Sequence, residues 1–202
     1  MGREVELKIP LTESEYDFIF RVLHKKERVA ELEFVDGECG RIIKSDEYYS
    51  RYASKEESRA AGEPEVIRIR GEMRDGAEQF FFCMKRKSVV NGIEMNREDE
   101  TFVSNPGVIR DVLELAGYHK FFEKKKDEFS AFLRFADGKP PVFHAELELL
   151  GGLRYFEVEV TDCGIGADEA SAALERFVMI FGLDPARRDG RSAMEILGAK
   201  WK

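Results

Sequence analysis

The sequence predicts an α+β fold in which mainly antiparallel strands form a sheet that helices cover. Three observations favour this class. Strand-type alternation recurs from the beginning to the end of the 202-residue chain. Helical patterns with recognisable caps separate the strands. No internal repeat or low-complexity tract interrupts the series, and a chain of this length predicts a single domain spanning residues 1–202.

The predicted strands alternate apolar residues with charged ones. In the first segment, Glu4-Val5-Glu6-Leu7-Lys8, the two-residue period places three charges on one face and two apolar side chains on the other. The same alternation recurs at residues 67–70, 80–87, 143–149 and 156–160. A sheet with one solvated face explains any single strand of this kind.

Two helices are predicted from their end signals. Thr12 and Glu15 form a capping box ahead of a run of apolar residues at helical spacing. Asn105 and Pro106 supply an N-cap and a proline at the first helical position, and Gly117 is placed to end that helix.

The remaining helices are predicted near the C-terminus. Residues 168–181 carry apolar side chains on one helical face, and a short helix is predicted near residues 192–197. The polar and charged segment 52–64 predicts a mobile connection rather than a domain boundary.

Composition narrows the classes of partner. A net charge of −8 and a pI near 5.2 argue against nucleic acid or an anionic membrane bound through a general basic surface. No run of about 18 apolar residues and no signal-peptide pattern is present, so a cytoplasmic protein is expected. The cysteines, Cys39, Cys83 and Cys163, lack zinc-type or disulfide spacing and are expected to be reduced structural thiols.

The charged strand faces, taken together, require more than solvation as an explanation. The basic pairs are Arg68 with Arg70 and Lys85 with Lys87, and the acidic pairs are Glu4 with Glu6 and Glu157 with Glu159. If the sheet closes into a barrel with these faces inward, the interior is a polar lumen. Buried charges are costly unless they are paired or hold ligands. A polyanion bridged to carboxylates by Mg²⁺ or Mn²⁺ satisfies both sets.

The ordered series of charged motifs resembles the CYTH superfamily, the triphosphate tunnel metalloenzymes. Residues 4–8 are similar to the ExExK signature that opens these proteins. The later motifs follow in family order: RIR with Arg68 and Arg70, MKRK with Lys85 and Lys87, NREDE at 96–100, the lysines 124–126 with Phe129, and AELELLGGLRYFEVEV at 145–160. The resemblance covers nearly the whole chain.

This resemblance implies a closed eight-stranded antiparallel β-barrel with covering helices and a triphosphate in its tunnel. It implies divalent metal, Mg²⁺ or Mn²⁺, on the carboxylates of Glu4, Glu6, Glu148 and Glu157, with Glu159 close by. Phosphates are expected on Lys8, Arg68, Arg70, Lys85, Lys87, Lys124 and Lys126. Glu98 and Glu100 are further substrate-binding candidates, and the candidate catalytic residues are Glu4, Glu6, Lys8 and Lys85.

The sequence departs from the family pattern at three places. Asn96 stands where the family usually has an arginine, and Arg97 is one step out of phase, so either a bulge re-aims Arg97 or its contact is missing. Glu148 replaces an aspartate common in the cyclase-like relatives. Ser192 and Ala193 resemble a Ser-Tyr pair without its aromatic residue, which leaves the role of this segment open.

His144 shares a predicted strand face with Glu146 and Glu148. Its ordinary pKa of about 6.5 would suit a proton carrier in the lumen. A hydrogen-bonded neighbour without a catalytic role is the commoner use of such a residue.

Several functions are compatible with a charged lumen. Attack by water at the terminal phosphorus hydrolyses tripolyphosphate, thiamine triphosphate or a nucleoside triphosphate. Attack by a ribose 3′-hydroxyl on the α-phosphorus of ATP gives cyclic AMP and pyrophosphate, as in class IV adenylyl cyclases. A non-catalytic polyphosphate or nucleotide-binding module is a third reading, and a simply solvated sheet a fourth. The expected partner is a small-molecule triphosphate rather than nucleic acid or membrane, and a homodimer is compatible with the sequence.

Overall fold

The computed structural model describes residues 2–36, 39–62, 66–90, 93–161 and 164–199. For residues 2–4, 66, 87–90, 93–96 and 161 only the backbone is described. Among the described helices, none combines the length and apolar character needed to cross a bilayer.

The described ranges contain nine strands and five helices. The strands are β1 Gly2–Pro10, β2 Leu32–Phe34, β3 Gly40–Ser50, β4 Val66–Arg74, β5 Ala77–Val90, β6 Ile93–Phe102, β7 His119–Phe135, β8 Val142–Leu150 and β9 Leu153–Thr161. The helices are α1 Glu13–Leu23, α2 Lys55–Ala60, α3 Pro106–Leu115, α4 Ala167–Ile180 and α5 Ala193–Ile196, with a 3₁₀ turn at Pro185–Arg187. The four helices predicted from the sequence are α1, α3, α4 and α5.

Eight strands close into an antiparallel barrel. The ring order is β7-β3-β4-β5-β6-β1-β9-β8, and β8 pairs back onto β7. The 17-residue β7 is long enough to pair with β3 and then with the short β2 along one edge, while β8 occupies the other. Closure pairs the strand edges that an open sheet would leave free. The predicted eight-stranded barrel is therefore confirmed.

The main hydrophobic core lies outside the barrel, beneath α1 and α4. Apolar residues of β1, β7, β8 and β9 alternate outward and pack against these two helices. Phe177 of α4 is fully buried, with its ring centroid 4.2 Å from that of Phe143 and 6.4 Å from that of Phe156. Because the outward faces hold the hydrocarbon, the inward faces are left to charged side chains.

A smaller apolar cluster lies on the opposite side, under α3. Ile67 and Ile69 of β4 are buried together with Tyr49 of β3 and Leu113 of α3. Pro106 at the first helical position and the Asn105 side chain, which accepts a hydrogen bond from the Gly107 N–H, start this helix as the sequence predicts.

The segment predicted as a mobile connection contains the short helix α2. The Ser54 side chain accepts a hydrogen bond from the backbone N–H of Glu57, and the Glu57 carboxylate accepts one from the backbone N–H of Ala53 at 3.1 Å. The spacing Ser-x-x-Glu that produces this cap is visible in the sequence, whereas the prediction used only the polar composition of the segment.

Two of the cysteines are described, and both are free thiols. Cys39 is exposed and Cys83 is buried, while Cys163 lies outside the described residues. This agrees with the predicted reduced state for these two.

Candidate functional site

The barrel lumen contains a cavity of about 410 Å³. This volume lies within the range of roughly 300–1,000 Å³ that is usual for small-molecule sites. All eight strands of the ring contribute to its lining. The charged lining residues are Glu6, Lys8, Lys44, Lys55, Arg68, Arg70, Lys85, Glu98, Glu100, Lys124, Lys126, Glu146, Glu148, Glu157 and Glu159.

With the exception of Lys8 on β1, the ring order separates the charged lining residues of the strands by sign. Four neighbouring strands, β7, β3, β4 and β5, form what we call the basic arc, with Lys124, Lys126, Lys44, Arg68, Arg70 and Lys85. The other four, β6, β1, β9 and β8, form the acidic arc, with Glu98, Glu100, Glu6, Glu157, Glu159, Glu146 and Glu148. The two arcs therefore face each other across the lumen.

Arginines of the basic arc are held by buried carboxylates. Arg70 donates from Nε and Nη2 to the two oxygens of Asp46, at 2.7 and 3.2 Å. Arg68 donates from Nη2 to Glu98 at 2.6 Å, and Lys124 Nζ lies 3.4 Å from Asp46. Burial alone would raise the pKa of Asp46, but the adjacent cations lower that pKa well below its ordinary value.

Two lysines and three glutamates form a buried network deeper in the lumen. Lys126 Nζ lies 2.7 Å from Glu128 and 2.9 Å from Glu146, and it also donates to Glu148. Lys44 Nζ lies 2.6 Å from Glu128 and 2.9 Å from Glu146. All five residues are buried. Removal of either lysine would leave buried carboxylates that have lost one cationic partner and have no solvent to replace it.

The three glutamates of this network are suitable ligands for a divalent cation. One carboxylate oxygen each from Glu128, Glu146 and Glu148 lies within 4.8 Å of the others. Oxygen donors of this kind suit Mg²⁺ and Mn²⁺. Both Glu128 oxygens are buried and accept no well-aligned hydrogen bond, although two ammonium groups are near. Burial and the adjacent Glu157 raise the pKa of Glu148 to about 8, so a bound cation would displace a proton there.

A second group, Cys83 with Glu98 and Glu100, has the same close spacing but is less suited to a cation. The Cys83 thiol donates to Glu98 at 2.8 Å, and burial raises the pKa of this thiol to about 12. Burial would also raise the pKa of Glu98, but Arg68 and Lys85 lower it to about 2. Glu98 is therefore already neutralised by protein cations.

The structure brings four of the predicted metal ligands to the same cavity. These are Glu6, Glu148, Glu157 and Glu159. Glu6 is buried, with its Oε2 3.3 Å from Lys85 Nζ. The side chain of Glu4 lies outside those described. Metal ligation by these glutamates stays a prediction.

Most predicted phosphate-binding residues also line the cavity. They are Lys8, Arg68, Arg70, Lys85, Lys124 and Lys126, together with the candidate substrate contacts Glu98 and Glu100. Lys8 Nζ donates to the backbone oxygen of Arg191 at 3.1 Å and lies over the Tyr155 ring. The side chain of Lys87 lies outside those described.

Arg97 points away from the lumen. Its side chain is 51% exposed, and its Nε lies 3.7 Å from Asp99. The pairing of β5 with β6 runs from Phe81 to Val90 without a register shift, so no bulge turns Arg97 inward. The expected contact at this position is therefore missing.

His144 lies deep in the barrel beside two carboxylates. A hydrogen bond of 2.9 Å joins its Nδ1 to Glu159, and its Nε2 lies 3.8 Å from Glu146. Burial would lower the pKa of His144, but these two carboxylates raise it above its ordinary value. His144 and Lys44 also line a second cavity of about 400 Å³ in the barrel. Its role as a proton carrier stays a prediction.

Sequence reasoning missed several residues of the site, among them four buried charged ones. Lys44 and Asp46 lie on β3, which was not predicted as a separate strand, and Glu128 and Glu146 were not assigned as ligands. Signals existed for some of them. Glu146 is two residues before Glu148, and Glu128 two residues after Lys126, so strand alternation places each pair on one face.

Aromatic residues and the C-terminal segment complete the cavity wall. Tyr48 has its ring centroid 5.3 Å from that of Phe122, and both line the cavity with Phe121. Ser192, which caps α5, and the two residues that follow it, Ala193 and Met194, also line the cavity. The C-terminal segment therefore contributes to the site wall without the aromatic residue that the family pattern has there.

The closed barrel of charge-lined strands has the triphosphate-tunnel fold. Solved structures of other proteins have a similar fold. A Pyrococcus horikoshii OT3 protein, PH1819, matches with a TM-score of 0.70 at 20% identity, covering 96% of this chain and 97% of that chain. A Vibrio parahaemolyticus protein thought to be an adenylate cyclase matches with a TM-score of 0.65 at 20% identity, covering 97% and 98%.

A third similar structure is that of a protein from Hippeastrum. It is thought to be an adenylyl cyclase and has a dominant triphosphatase activity, and it matches with a TM-score of 0.62 at 16% identity over 99% of this chain and 97% of that chain. A scan against protein-family models gives no match, and neither does a search among curated proteins. Identities of this size show a shared fold, while the chemistry must be argued from the site.

Proposed function

We propose that this protein is a divalent-metal-dependent triphosphatase that hydrolyses inorganic tripolyphosphate or an organic triphosphate inside the barrel. One observation carries the proposal: a basic arc and an acidic arc, most of whose side chains are buried or half-buried, face each other across the lumen cavity. Solvated strand faces would point outward, whereas here the outward faces form the hydrophobic core.

Charge balance explains why the ligand is expected to be a metal-bound polyanion. In the lumen the cations are paired with carboxylates, as Lys126 is with Glu146 and Arg68 with Glu98. A polyanion alone would displace these carboxylates and leave them buried without partners, which is costly. A polyanion that arrives with a divalent cation offers a new partner to both arcs. The same reasoning disfavours a neutral or cationic substrate.

The side chains of the basic arc have the main binding role. Arg68, Arg70, Lys85, Lys124 and Lys126 would donate to phosphoryl oxygens and stabilise the negative charge that develops on the leaving phosphate. Their donors are fixed in the folded protein before substrate enters, so little reorganisation is needed during the reaction.

We propose that the metal is held by carboxylates of the acidic arc, with Glu6, Glu148 and Glu157 as main ligands and Glu159 nearby. Glu128 and Glu146 offer further oxygens to the same region. A divalent cation held by these carboxylates would supply Lewis acidity that lowers the cost of activating the attacking water. The enclosing walls limit the access of bulk water, which strengthens the electrostatic interactions in the lumen.

A class IV adenylyl cyclase activity is the second candidate. The observation that favours it is the aromatic group Tyr48, Phe121 and Phe122 on the cavity wall, where a nucleobase could pack. Cyclisation also requires a ribose held in line with the α-phosphorus, and no described residue identifies such a site. Hydrolysis requires only the charged lumen and therefore ranks first.

One assay separates the candidates. The purified protein is incubated with Mg²⁺ or Mn²⁺ and either tripolyphosphate or ATP, and both orthophosphate and cyclic AMP are measured. Orthophosphate release supports the triphosphatase, and cyclic AMP with pyrophosphate supports the cyclase. Tight binding without turnover in either metal, unchanged when Glu4 and Glu6 are replaced by Gln, supports a non-catalytic binding module. Absence of both binding and turnover would refute the lumen site altogether.

A further inference from the structure

A single aspartate is located at the centre of the basic arc. Asp46 on β3 is directly opposite Arg70 in the β3–β4 pairing and directly opposite Lys124 in the β3–β7 pairing. Its side chain is fully buried. Cross-strand neighbours of this kind are the closest contacts that a sheet provides. One carboxylate therefore contacts cations on both of its neighbouring strands.

The contacts of Asp46 are specific rather than diffuse. Arg70 uses Nε and Nη2 to bind both carboxylate oxygens, at 2.7 and 3.2 Å, which is the bidentate arrangement that fixes a guanidinium plane. Lys124 Nζ lies 3.4 Å from Asp46 Oδ2, and Arg68 Nη1 lies 3.8 Å from the same oxygen. Arg70 Nη1, on the other side of the guanidinium, lies 3.8 Å from Glu72 Oε1.

Without this carboxylate, these three cations would lie close together with little access to water, although Glu98 and Glu72 would still neutralise the two arginines in part. The side chains of Arg68, Arg70 and Lys124 are 7%, 12% and 13% exposed. Solvent would therefore screen their mutual repulsion poorly. Arginine and lysine side chains also have large rotamer freedom, which must be lost before they can bind an anion in a defined geometry.

We infer that Asp46 is a positioning residue for triphosphate binding: it holds Arg70, Lys124 and Arg68 in one arrangement, with donors directed at the substrate. The inference rests on the proposed function, since it concerns the same lumen. Asp46 itself does not contact the substrate. It acts through the cations that do.

The direction in which one substitution changes the affinity for a polyanion separates a positioning role from simple charge neutralisation. Asp46→Asn removes a negative charge from the basic arc. If Asp46 only weakened the positive field, the variant would bind a polyanion more tightly than the wild type. If Asp46 positions the cations, the variant binds more weakly, because the amide offers one acceptor in place of two and turns N–H donors toward Arg70.

The experiment measures the affinity of tripolyphosphate by calorimetry in EDTA, and KM and kcat with Mg²⁺. Asp46→Asn is expected to raise both the dissociation constant and KM by about tenfold or more, the effect of losing one charge-assisted hydrogen bond, with kcat changed by less than about threefold. Glu47→Gln is the matched control, since Glu47 is the next residue on β3 and binds Arg110 on the other face. It is expected to match the wild type.

A double-mutant cycle with Arg70→Met tests whether Asp46 acts through Arg70. Positioning predicts that Asp46→Asn weakens binding much less in the Arg70→Met background than in the wild type. Full additivity, or an Asp46→Asn variant that binds as tightly as the wild type, would overturn the inference and leave the proposed function intact. A wild-type protein that neither binds nor hydrolyses tripolyphosphate would overturn both.

Asp46→Glu covers the case in which the asparagine variant does not fold. It keeps the charge but lengthens the arm by one methylene, so the buried carboxylate can no longer meet both neighbouring strands in the same way. Affinity weakened by about threefold or more supports positioning, and affinity equal to that of the wild type rejects it.

Discussion

Lys126 provides the sharpest test of the charge network, because its ammonium neutralises three buried carboxylates of the barrel. Its ammonium contacts Glu128 and Glu146 at 2.7 and 2.9 Å and also donates to Glu148. Replacement by methionine keeps most of the side-chain volume and removes the charge. Breaking a buried ionic network by removal of one partner typically costs about 3–5 kcal/mol. With a urea dependence of about 2 kcal/mol per molar, the unfolding midpoint should fall by about 1.5–2.5 M.

The destabilisation should depend on pH, with a defined sign. Burial, together with nearby glutamates, already raises the pKa values of Glu128 and Glu148, the latter to about 8. Without Lys126 these values rise further above those of the unfolded chain. A carboxyl group whose folded pKa is raised is tolerated while protonated and becomes destabilising as the pH rises through that pKa. The Lys126→Met defect should therefore be small near pH 5 and grow toward about pH 8.

Urea unfolding near pH 5.5 and near pH 8 measures both effects. Lys125→Met is the matched control, because Lys125 is exposed on the other face of β7, and it should unfold with the wild type. Millimolar Mg²⁺ should restore more stability to Lys126→Met than to the wild type, since a cation bound by the carboxylates replaces the lost ammonium. A Lys126→Met variant with wild-type stability at both pH values would show that the reasoning about buried charge is wrong.

Three further predictions concern the acidic arc and the outer core. Burial would raise the pKa of Glu98, but Arg68 and Lys85 lower it to about 2, so Glu98 stabilises the fold above about pH 4.5 and this stabilisation is lost as the pH falls toward 2. Glu98→Gln should thus weaken the loss of folding stability at low pH, as measured by circular dichroism. An unchanged loss would exclude Glu98 as a major source of the pH dependence. Glu6→Gln should abolish metal-dependent turnover while leaving the unfolding midpoint close to that of the wild type, because it removes a proposed ligand; retained phosphate release would remove Glu6 from the site. Phe177→Ala should cost about 3–5 kcal/mol in denaturant unfolding, since it empties a fully buried position, and a loss below about 1 kcal/mol would mean that the core closes around the gap.

The sequence by itself determined which side chains share a strand face and where the helices begin. Two-residue alternation places Glu6 and Lys8 on one face of β1 and Leu7 on the other, and the structure keeps that division. Capping signals such as Thr12 with Glu15 located the helices, because each signal lies within a single turn of chain. The barrel and its polar lumen were expected because the order of the charged motifs resembles that of the CYTH superfamily.

The tertiary structure alone decided which faces meet. Asp46 is next to Arg70 and Lys124 only because β3 pairs with β4 on one side and with β7 on the other. β3 carries charge on both faces, with Asp46 inward and Glu47 outward, so its alternation does not show which face is buried.

The separation of the lumen into a basic arc and an acidic arc likewise depends on ring order. β1 lies between β6 and β9, which are far from it in sequence, and β7 closes the ring by pairing with both β3 and β8. Alternation is a local property of the backbone, whereas strand order and closure depend on contacts between distant segments, and a single sequence does not specify which of these contacts form. For that reason many charges of this lumen were predictable from the sequence, whereas Lys44 and Asp46 of β3 and the ion pairs were not.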